Sequence, residues 1–332
     1  MPLDRHARRF LEMLAAAGET RGRYGDVAER RRALAALIDL VDPPGMEAIG
    51  GVRDQFLDVN DGIITLRTYS PSGKPERVLP GLLFFHGGGW VAGNLETHDG
   101  FCRRLCNESG CRVVAVNYRL APEHVFPAAL DDAMAALRHV AAHPREFGID
   151  PNCLGVAGDS AGGGLAAALC REARDRNGPA IAFQFLICPI LDVARESISR
   201  RELRNGYFLD AETLDRDLEL YCSGAELADP RLSPLLASDC EGLPPAYIHT
   251  AQFDPFGDEG EAYAAKLSDA GIAVHGRSHP GMIHFFYCMQ RMIPYARQAA
   301  QIMGAEIRYA AQLPSPLERR RQKRTRPDLI RS

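Results

Sequence analysis

Residues 153–164, which read CLGVAGDSAGGG, constrain the fold of this chain more than any other stretch. Apolar residues lead to a serine between two glycines, and an alanine-rich run with the composition of a helix follows. The spacing of Gly158, Ser160 and Gly162 fits a sharp strand-to-helix turn, because glycine has no Cβ to collide with neighbouring backbone. Such a turn raises a serine hydroxyl above a sheet. An ordinary glycine-rich connection would also explain this stretch, so other parts of the chain have to decide.

A second glycine-rich stretch, His86-Gly87-Gly88-Gly89-Trp90, follows an apolar run that ends at Phe85. Serine is a poor nucleophile unless a base removes its proton and donors hold the negative oxygen that forms. Consecutive glycines let backbone N–H groups turn toward such an oxygen. We therefore predict an oxyanion hole made by the amides of Gly88, Gly89 and Ala161. A phosphate-binding loop is the alternative, but its fuller glycine pattern followed by Lys-Ser/Thr or a helix start is missing.

Asp254 and His284 are the candidates for the other two members of a catalytic triad. Asp254 follows the apolar run 246–250, and open α/β sheets gather their sites at the carboxyl ends of such strands. His284 completes the chain order Ser, Asp, His, which is the order found in α/β-hydrolases. Asp258 is a rival acid, but its position near a helix start suits a dipole or capping role better. His279 is a rival base, but the Pro-Gly that follows it suggests a residue on the last strand or at its exit.

Apolar runs alternate with helical patterns along most of the chain, which is typical of a mostly parallel sheet covered on both faces. The predicted strands are 52–59, 63–69, 81–86, 111–118, 153–157, 181–188, 245–251 and 272–278. The first two are joined by Asn60-Asp61-Gly62, a tight-turn signal, and should add an antiparallel edge. The sequence therefore predicts one α/β catalytic domain, residues 46–313, with an eight-stranded, mostly parallel sheet.

Two regions outside this alternation, 1–45 and 192–230, predict a helical cap over the site. Apolar residues at helical spacing, Phe10 to Ala17 and Leu34 to Val41, indicate two helices before the first strand. The insertion 192–230 is too long for a simple loop and contains the helical run 211–221. An excursion that leaves the site uncovered is the alternative for the insertion.

The motifs together resemble the bacterial branch of the hormone-sensitive-lipase family of α/β-hydrolase esterases. The matching blocks are HGGGW (86–90), YRLAPEH (118–124), GDSAGG (158–163), DPRLSPL (229–235), LPPAYIHTAQFD (243–254), DPFGDEG (254–260) and GMIHFF (281–286). They run from about residue 80 to residue 290, and Asp159 places the chain with the GDSAG type of the family. The combination is highly specific, whereas each block alone is not.

The resemblance implies an α/β-hydrolase fold and hydrolysis of short-to-medium carboxylic esters through an acyl-enzyme. It implies a small-molecule ester as substrate, no metal or organic cofactor, and a homodimer formed through the last strand, near 272–278. The site residues that it implies are Ser160, Asp254 and His284 as the triad and Gly88, Gly89 and Ala161 as the oxyanion hole. Within the same chemistry, an amide or a specific acetyl ester of a small-molecule pathway is the alternative substrate.

Two positions depart from the family pattern. The family usually has glycine after the catalytic histidine, where this chain has Phe285, and Leu-Arg where Phe256-Gly257 stand. Phe285 is expected to affect the range of substrates more than the activity itself. A non-catalytic receptor on the same fold is the alternative from another functional class. The plant gibberellin receptor resembles this family but lacks the triad histidine, which this chain retains as His284.

Charge and cysteine content exclude several other classes of protein. The whole chain has a net charge of −4. Segment 314–332 has a net charge of +5, so the rest of the chain has a net charge of −9. An acidic body argues against nucleic acid as a partner, and the basic segment is expected to be a solvated, mobile tail. Nine cysteines do not suggest a disulfide framework, and Cys102, Cys106 and Cys111 lack a fourth metal ligand at a familiar spacing. No signal peptide or membrane span is evident, so a cytoplasmic location is expected.

Overall fold

Eight strands in a computed structural model of the chain form one sheet. The structure describes residues 1–16, 26–73 and 77–312, so the predicted tail, 314–332, lies outside the described residues. The strands are β1 (Gly51–Val59), β2 (Gly62–Ser70), β3 (Leu79–Phe85), β4 (Arg112–Asn117), β5 (Ile149–Asp159), β6 (Gln184–Ile187), β7 (Ala246–Phe253) and β8 (Val274–Ile283). Their order is β1-β2-β4-β3-β5-β6-β7-β8, antiparallel at β1–β2 and β2–β4 and parallel elsewhere. The predicted α/β fold and its antiparallel edge are confirmed.

Helices fill most of the connections between these strands. They are α1 (Arg5–Ala16), α2 (Val27–Val41), α3 (Asp99–Ser109), α4 (Ala128–Ala142), α5 (Pro144–Phe147), α6 (Ala161–Asp175), α7 (Ile198–Leu203), α8 (Ala211–Cys222), α9 (Gly257–Asp269) and α10 (Tyr295–Gln312). The two helices expected before the first strand are α1 and α2, and the helical run expected in the insertion is α8. No helix within the described ranges is long and apolar enough to cross a membrane.

The sheet separates two hydrophobic cores. Side chains alternate across a strand, so Leu83 and Phe85 of β3 enter the core packed by α4, α6 and α9, while Leu82 and Phe84 enter the opposite one. The second core is packed by α1, α2, α3 and α10. Burial on both faces explains why the central strands are nearly continuous apolar runs in the sequence.

Three predicted strands differ in extent from those observed. The fifth runs from Ile149 to Asp159 rather than over 153–157. The sixth covers only Gln184–Ile187 rather than 181–188, and it ends where Cys188 adopts φ 46°, which is outside the extended region. The last strand continues to Ile283, well beyond residue 278, because its pairing with β7 resumes after an irregularity and joins Phe253 to Ile283. This longer strand carries the chain to the residue before His284.

The topology brings two loops together at the carboxyl edge of the sheet. β3 lies between β4 and β5, so the connections that leave β3 and β5 run to opposite sides of their strands. Ligands of open α/β sheets bind in the crevice that such a reversal creates. Phe85, the last residue of β3, pairs with Gly158 near the end of β5. The glycine run 87–89 and Ser160 therefore emerge side by side.

Candidate active site

Ser160 occupies the turn between β5 and α6 with φ 53° and ψ −121°. Positive φ is uncommon for a residue with a Cβ, and it is the backbone strain expected at a nucleophile elbow. The turn is tight enough that a Cβ on Gly158 would collide with the carbonyl group of Gly162, and one on Gly162 with the carbonyl oxygen of Phe85. Only glycine fits either position, which supports the elbow over an ordinary loop.

The side chains of Ser160, His284 and Asp254 form a continuous hydrogen-bonded line. His284 Nε2 lies 3.0 Å from Ser160 Oγ, and His284 Nδ1 lies 2.8 Å from Asp254 Oδ2. All three residues are buried, and Asp254 Oδ1 also accepts the backbone N–H of Phe256 at 2.9 Å. The arrangement can pass the serine proton to the imidazole while the carboxylate holds the ring.

Both rivals of the predicted triad members have other partners. Asp258 lies in the first turn of α9, and its carboxylate accepts the backbone N–H of Ser199 at 2.8 Å, which fastens α7 to α9. His279 lies on β8, where its Nε2 is 2.9 Å from His249 Nδ1 and its Nδ1 is 3.0 Å from the hydroxyl of Tyr295. Neither side chain reaches Ser160.

The glycine run after β3 presents unused backbone donors beside Ser160. Gly88 and Gly89 have φ 121° and 66°, and both border the same cavity as Ser160. The Gly87 amide donates to Asp159 Oδ1 at 2.9 Å. No hydrogen bond found among the described residues uses the amides of Gly88, Gly89 or Ala161. Buried amides are rarely left unpaired, so these three are suited to an oxygen of a ligand.

Asp159, next to the serine, links the serine turn to the glycine run. Its Oδ1 accepts from Gly87, and its Oδ2 lies 3.2 Å from His98 Nε2 and accepts the Tyr287 hydroxyl at 2.9 Å. Burial alone would raise the pKa of Asp159, but His98 and the hydrogen bonds from His98 and Tyr287 lower it overall. Sequence reasoning used Asp159 only to classify the chain and missed His98 and Tyr287. The sequence signal for this network is the acidic residue directly before the serine, because a buried carboxylate needs hydrogen-bond donors around it.

His86, the first residue of the glycine-rich stretch, is buried behind the site. Its ring stacks on Tyr118 with centroids 4.3 Å apart, and its Nδ1 lies 2.9 Å from the carbonyl oxygen of Gly87. Burial and the neighbouring His98 lower the pKa of His86 to about 3, so it stays neutral at physiological pH. The Tyr118 hydroxyl donates to the carbonyl of His86 at 2.6 Å. These contacts support the glycine run from below.

A cavity of about 470 Å³ opens onto Ser160, His284 and the glycine run. Its remaining walls come largely from α2 and from residues 208–217, so both regions predicted as a cap contribute to it. Apolar side chains such as Leu34, Leu37 and Leu214 alternate there with charged ones. The cavity is large enough for a small ester, and it is mostly apolar, as ligand sites usually are.

The charged part of the cavity wall includes an ion pair between two cap helices. Arg30 of α2 lies 3.1 Å from Asp217 of α8, and Asp217 packs so closely on Gly89 that a Cβ there would meet the carboxylate. Burial raises the pKa of Asp217 to about 6, although Arg30 opposes this shift. The neighbouring Arg31 donates to the carbonyl groups of Val91 at 2.9 Å and Ala121 at 3.0 Å. α2 is thus fixed both to α8 and to the chain that follows the glycine run.

All nine cysteines lie within the described residues, where they are buried and form no disulfide bond. Cys106 donates to the carbonyl groups of Tyr69 and Cys111, and Cys102, Cys106 and Cys111 form no cluster of metal-ligand geometry within the described ranges. Cys188 lies beside the predicted triad, where its Sγ and the side-chain ligand atoms of Asp254 and His284 are all within 4.8 Å of one another. Burial, together with the nearby Asp254 carboxylate, raises the pKa of the Cys188 thiol well above its usual value. It is therefore a protonated neighbour of the Asp254 carboxylate.

Comparisons with known proteins identify the family of the chain. A family profile described as alpha/beta hydrolase fold matches residues 82–288. The chain is 40% identical over 268 residues to carboxylic ester hydrolase LipN of Mycobacterium tuberculosis, covering 79% of this chain and 70% of LipN. It is 35% identical over 315 residues to an arylesterase of Saccharolobus solfataricus, covering 93% and 99% of the two chains.

A solved structure also matches nearly the whole chain. Ester-hydrolase EH1AB1 from the metagenome of Lake Arreo, in complex with a derivative of bipyridine phosphonate, is 41% identical. Its TM-score is 0.87, and the match covers 92% of this chain and 98% of that one. The profile spans more than half of the chain, and the relatives match most of its length. The chain belongs to the α/β-hydrolase fold family, in the branch of the hormone-sensitive-lipase-like esterases.

Proposed function

We propose that this protein hydrolyses carboxylic esters with short-to-medium acyl groups through a Ser160-His284-Asp254 triad. One observation carries the proposal, namely the unbroken hydrogen-bonded line from Ser160 Oγ to the Asp254 carboxylate at the floor of a cavity. The names of the relatives, a carboxylic ester hydrolase, an arylesterase and an ester-hydrolase, support the same bond type. The retained His284 argues against the receptor alternative.

The proposed reaction proceeds in two halves. His284 Nε2 takes the hydroxyl proton as Ser160 Oγ attacks the ester carbonyl, and Asp254 stabilises the imidazolium that forms. His284 then gives this proton to the leaving alcohol as the bond between carbonyl carbon and alcohol oxygen breaks. Water attacks the acyl-enzyme by the same route, which releases the acid and restores the serine. The buried carboxylate also keeps the proton of the neutral imidazole on Nδ1, so that Nε2 can act as the base.

The amides of Gly88, Gly89 and Ala161 are proposed to hold the negative oxygen of both tetrahedral intermediates. Their support is that they border Ser160 and have no acceptor among the described residues. Preorganised donors in a buried site stabilise such an oxygen strongly, and losing one typically lowers kcat about 100- to 1000-fold. Asp159 would keep the loop in place through the Gly87 amide.

The cap regions are proposed to set the acyl range. α2 and residues 208–217 wall a cavity of about 470 Å³, which suits small substrates rather than an oil surface. Activity should therefore be highest on acyl groups from acetyl to about hexanoyl and fall on longer ones. This preference rests on cavity size and on the family resemblance together.

A panel of p-nitrophenyl esters from acetate to palmitate tests the proposal. Wild-type protein should favour the short members, and Ser160→Ala should reduce hydrolysis to background, because the substitution removes the hydroxyl that lies 3.0 Å from His284 Nε2. A fluorophosphonate probe should label wild type and not the variant. Retained hydrolysis in Ser160→Ala would contradict the triad, an unlabelled wild type would favour the receptor, and a long-chain optimum would contradict the acyl range.

A further inference from the structure

Two phenylalanines on the cavity wall have unusual backbone conformations. Phe285 follows His284 with φ 66°, and Phe208, between α7 and α8, has φ 85°. Both values lie where a side chain with a Cβ is disfavoured, and a bulky residue there is an outlier. Such conformations persist only where the surroundings over-determine them, and they cluster at ligand sites. Ordinary core packing therefore does not explain why two phenylalanines are held at positive φ.

The rings of these residues form a stacked pair. Their centroids are 5.8 Å apart and their planes differ by 8°, and both residues border the cavity that holds Ser160. The pair joins two parts of the chain that are distant in sequence, the insertion before α8 and the turn that carries the proposed base. A stacked aromatic pair presents a flat, apolar face and has few accessible rotamers.

Neighbouring rings hold the pair on both sides. The ring of Phe208 contacts Phe10 of α1 with centroids 6.2 Å apart. The ring of Phe285 meets His98 edge-on at 5.7 Å and Tyr287 at 5.7 Å, and it is only 5% exposed. The row from Phe10 to His98 thus connects the N-terminal helix to the network under the glycine run. Phe285 cannot leave the cavity wall without disturbing its neighbours.

We infer that Phe208 and Phe285 form one aromatic wall that limits the length of the ester group accepted on that side of the cavity. The inference rests on the proposed function and deepens it by assigning specificity to a named pair. Short alkyl and aryl groups fit against a flat apolar face, whereas longer chains would collide with the two rings. Glycine at position 285 would adopt the same φ and would leave the space that the Phe285 ring now fills. Phe285 therefore closes the cavity on this side.

Substrate series on Phe285→Gly, Phe285→Ala and Phe208→Ala test this wall. The kcat/KM ratio of octanoate to butyrate esters should rise at least tenfold in each variant if the wall bounds the acyl side, as expected for a few extra methylenes in an apolar pocket. If it bounds the alcohol side, the same rise should occur between octyl and butyl acetate. Ratios within twofold of wild type in both series, for all three variants, would overturn the inference.

Two controls separate the wall from other effects. Phe147→Ala removes a buried ring at the opposite end of β5 from Ser160 and should leave both ratios unchanged while lowering stability. Only glycine relieves positive φ, so Phe285→Gly should melt at a higher temperature than Phe285→Ala. The reverse order would overturn the assignment of backbone strain to this residue.

A binding measurement keeps the inference testable even if the protein hydrolyses no ester. Calorimetric titration with 2-alkanones of four to twelve carbons needs only the cavity and no reaction. The longest ketone that binds should be longer in Phe285→Gly than in wild type. An unchanged limit would overturn the wall, whereas an inactive wild type with a changed limit would contradict the proposed function alone.

Discussion

Asp159 shows how one buried carboxylate can position residues on two loops. It belongs to the serine turn, yet it holds the Gly87 amide of the other loop and the side chains of His98 and Tyr287. These partners lie 72, 61 and 128 residues away along the chain. The oxyanion donors proposed at Gly88 and Gly89 follow directly after the amide that Asp159 fixes, so the position of Asp159 bears on their alignment.

Substituting Asp159 by asparagine should slow the reaction more than it weakens binding. One carboxylate oxygen becomes an NH₂ group that faces a donor, which removes at least one acceptor from a buried network. The glycine loop then loses its fixed position, and we expect kcat to fall about 100-fold with little change in KM, a loss comparable to one oxyanion donor. Steady-state kinetics, with active sites counted by a phosphonate label, measures this.

Asp132→Asn is the matched control for that experiment. Asp132 is equally buried, but it pairs with Arg119 and does not border the cavity. It should lower the unfolding free energy and leave kcat per active site unchanged. Equal kcat losses in the two variants would show that Asp159 acts only through general stability.

The site residues could be predicted where chemistry and chain order coincide. Ser160, Asp254 and His284 each follow an apolar run, and the structure brings all three side chains together. His98 and Tyr287 carry no such signal, because a histidine and a tyrosine inside apolar segments look like core residues until their distant partner is known. Phe285 was recognised as a departure, but its stacking on Phe208 depends on a loop whose path the sequence does not specify.

At the scale of elements, the strands were predictable because burial on both faces leaves continuous apolar runs. The helix α7 was missed. It has six residues, two of them consecutive arginines, and its start is capped from outside the helix by Ser197 and Asp258. The buried carboxylate of Glu259 then accepts from Arg200 at 2.5 Å and from the Leu191 amide at 2.8 Å. A short helix that is stabilised by tertiary contacts lacks the local sequence pattern from which helices are predicted.

The ion pair between α2 and α8 should make the attachment of α2 depend on pH. Arg30→Met removes the cation that lies 3.1 Å from the buried Asp217 carboxylate, and we expect the unfolding free energy to fall by about 1 to 3 kcal/mol at pH 8. Because the pKa of Asp217 is raised to about 6, the carboxyl is largely neutral at pH 5, and the loss should be smaller there. Urea unfolding at both pH values measures the difference.

Two further variants test this interpretation of the ion pair. The double variant Arg30→Met/Asp217→Asn should recover much of the stability lost at pH 8, because no buried charge remains. Arg176→Met removes a more exposed helical ion pair with Glu172 and should change stability by less than about 0.5 kcal/mol at either pH. A loss in Arg30→Met that is equal at pH 5 and pH 8 would contradict the role of the Asp217 charge.

For the whole molecule, the buried Glu259 and the buried His279 give the stability opposite dependences on pH. Burial raises the pKa of Glu259 to about 7 despite Arg200, so the folded state holds a proton that the unfolded state releases above about pH 4.5. Burial and the neighbouring His249 lower the pKa of His279 to about 3, so the unfolded state takes a proton below about pH 6.5 that the folded state refuses. Between pH 4.5 and 6 the first effect makes stability fall as pH rises, and the second makes it rise.

Single substitutions should therefore change the slope of stability against pH in opposite directions. Glu259→Gln removes a falling contribution, so the slope of unfolding free energy between pH 4.5 and 6 should become more positive by about 1 kcal/mol per pH unit. His279→Gln removes a rising contribution and should make the slope more negative by about the same amount. Urea titrations at four pH values in this window measure both slopes against wild type. Because each variant serves as the control for the other, slope changes of the same sign would contradict the role of one of the two groups, and two unchanged slopes would contradict both, whatever each substitution does to stability at pH 7.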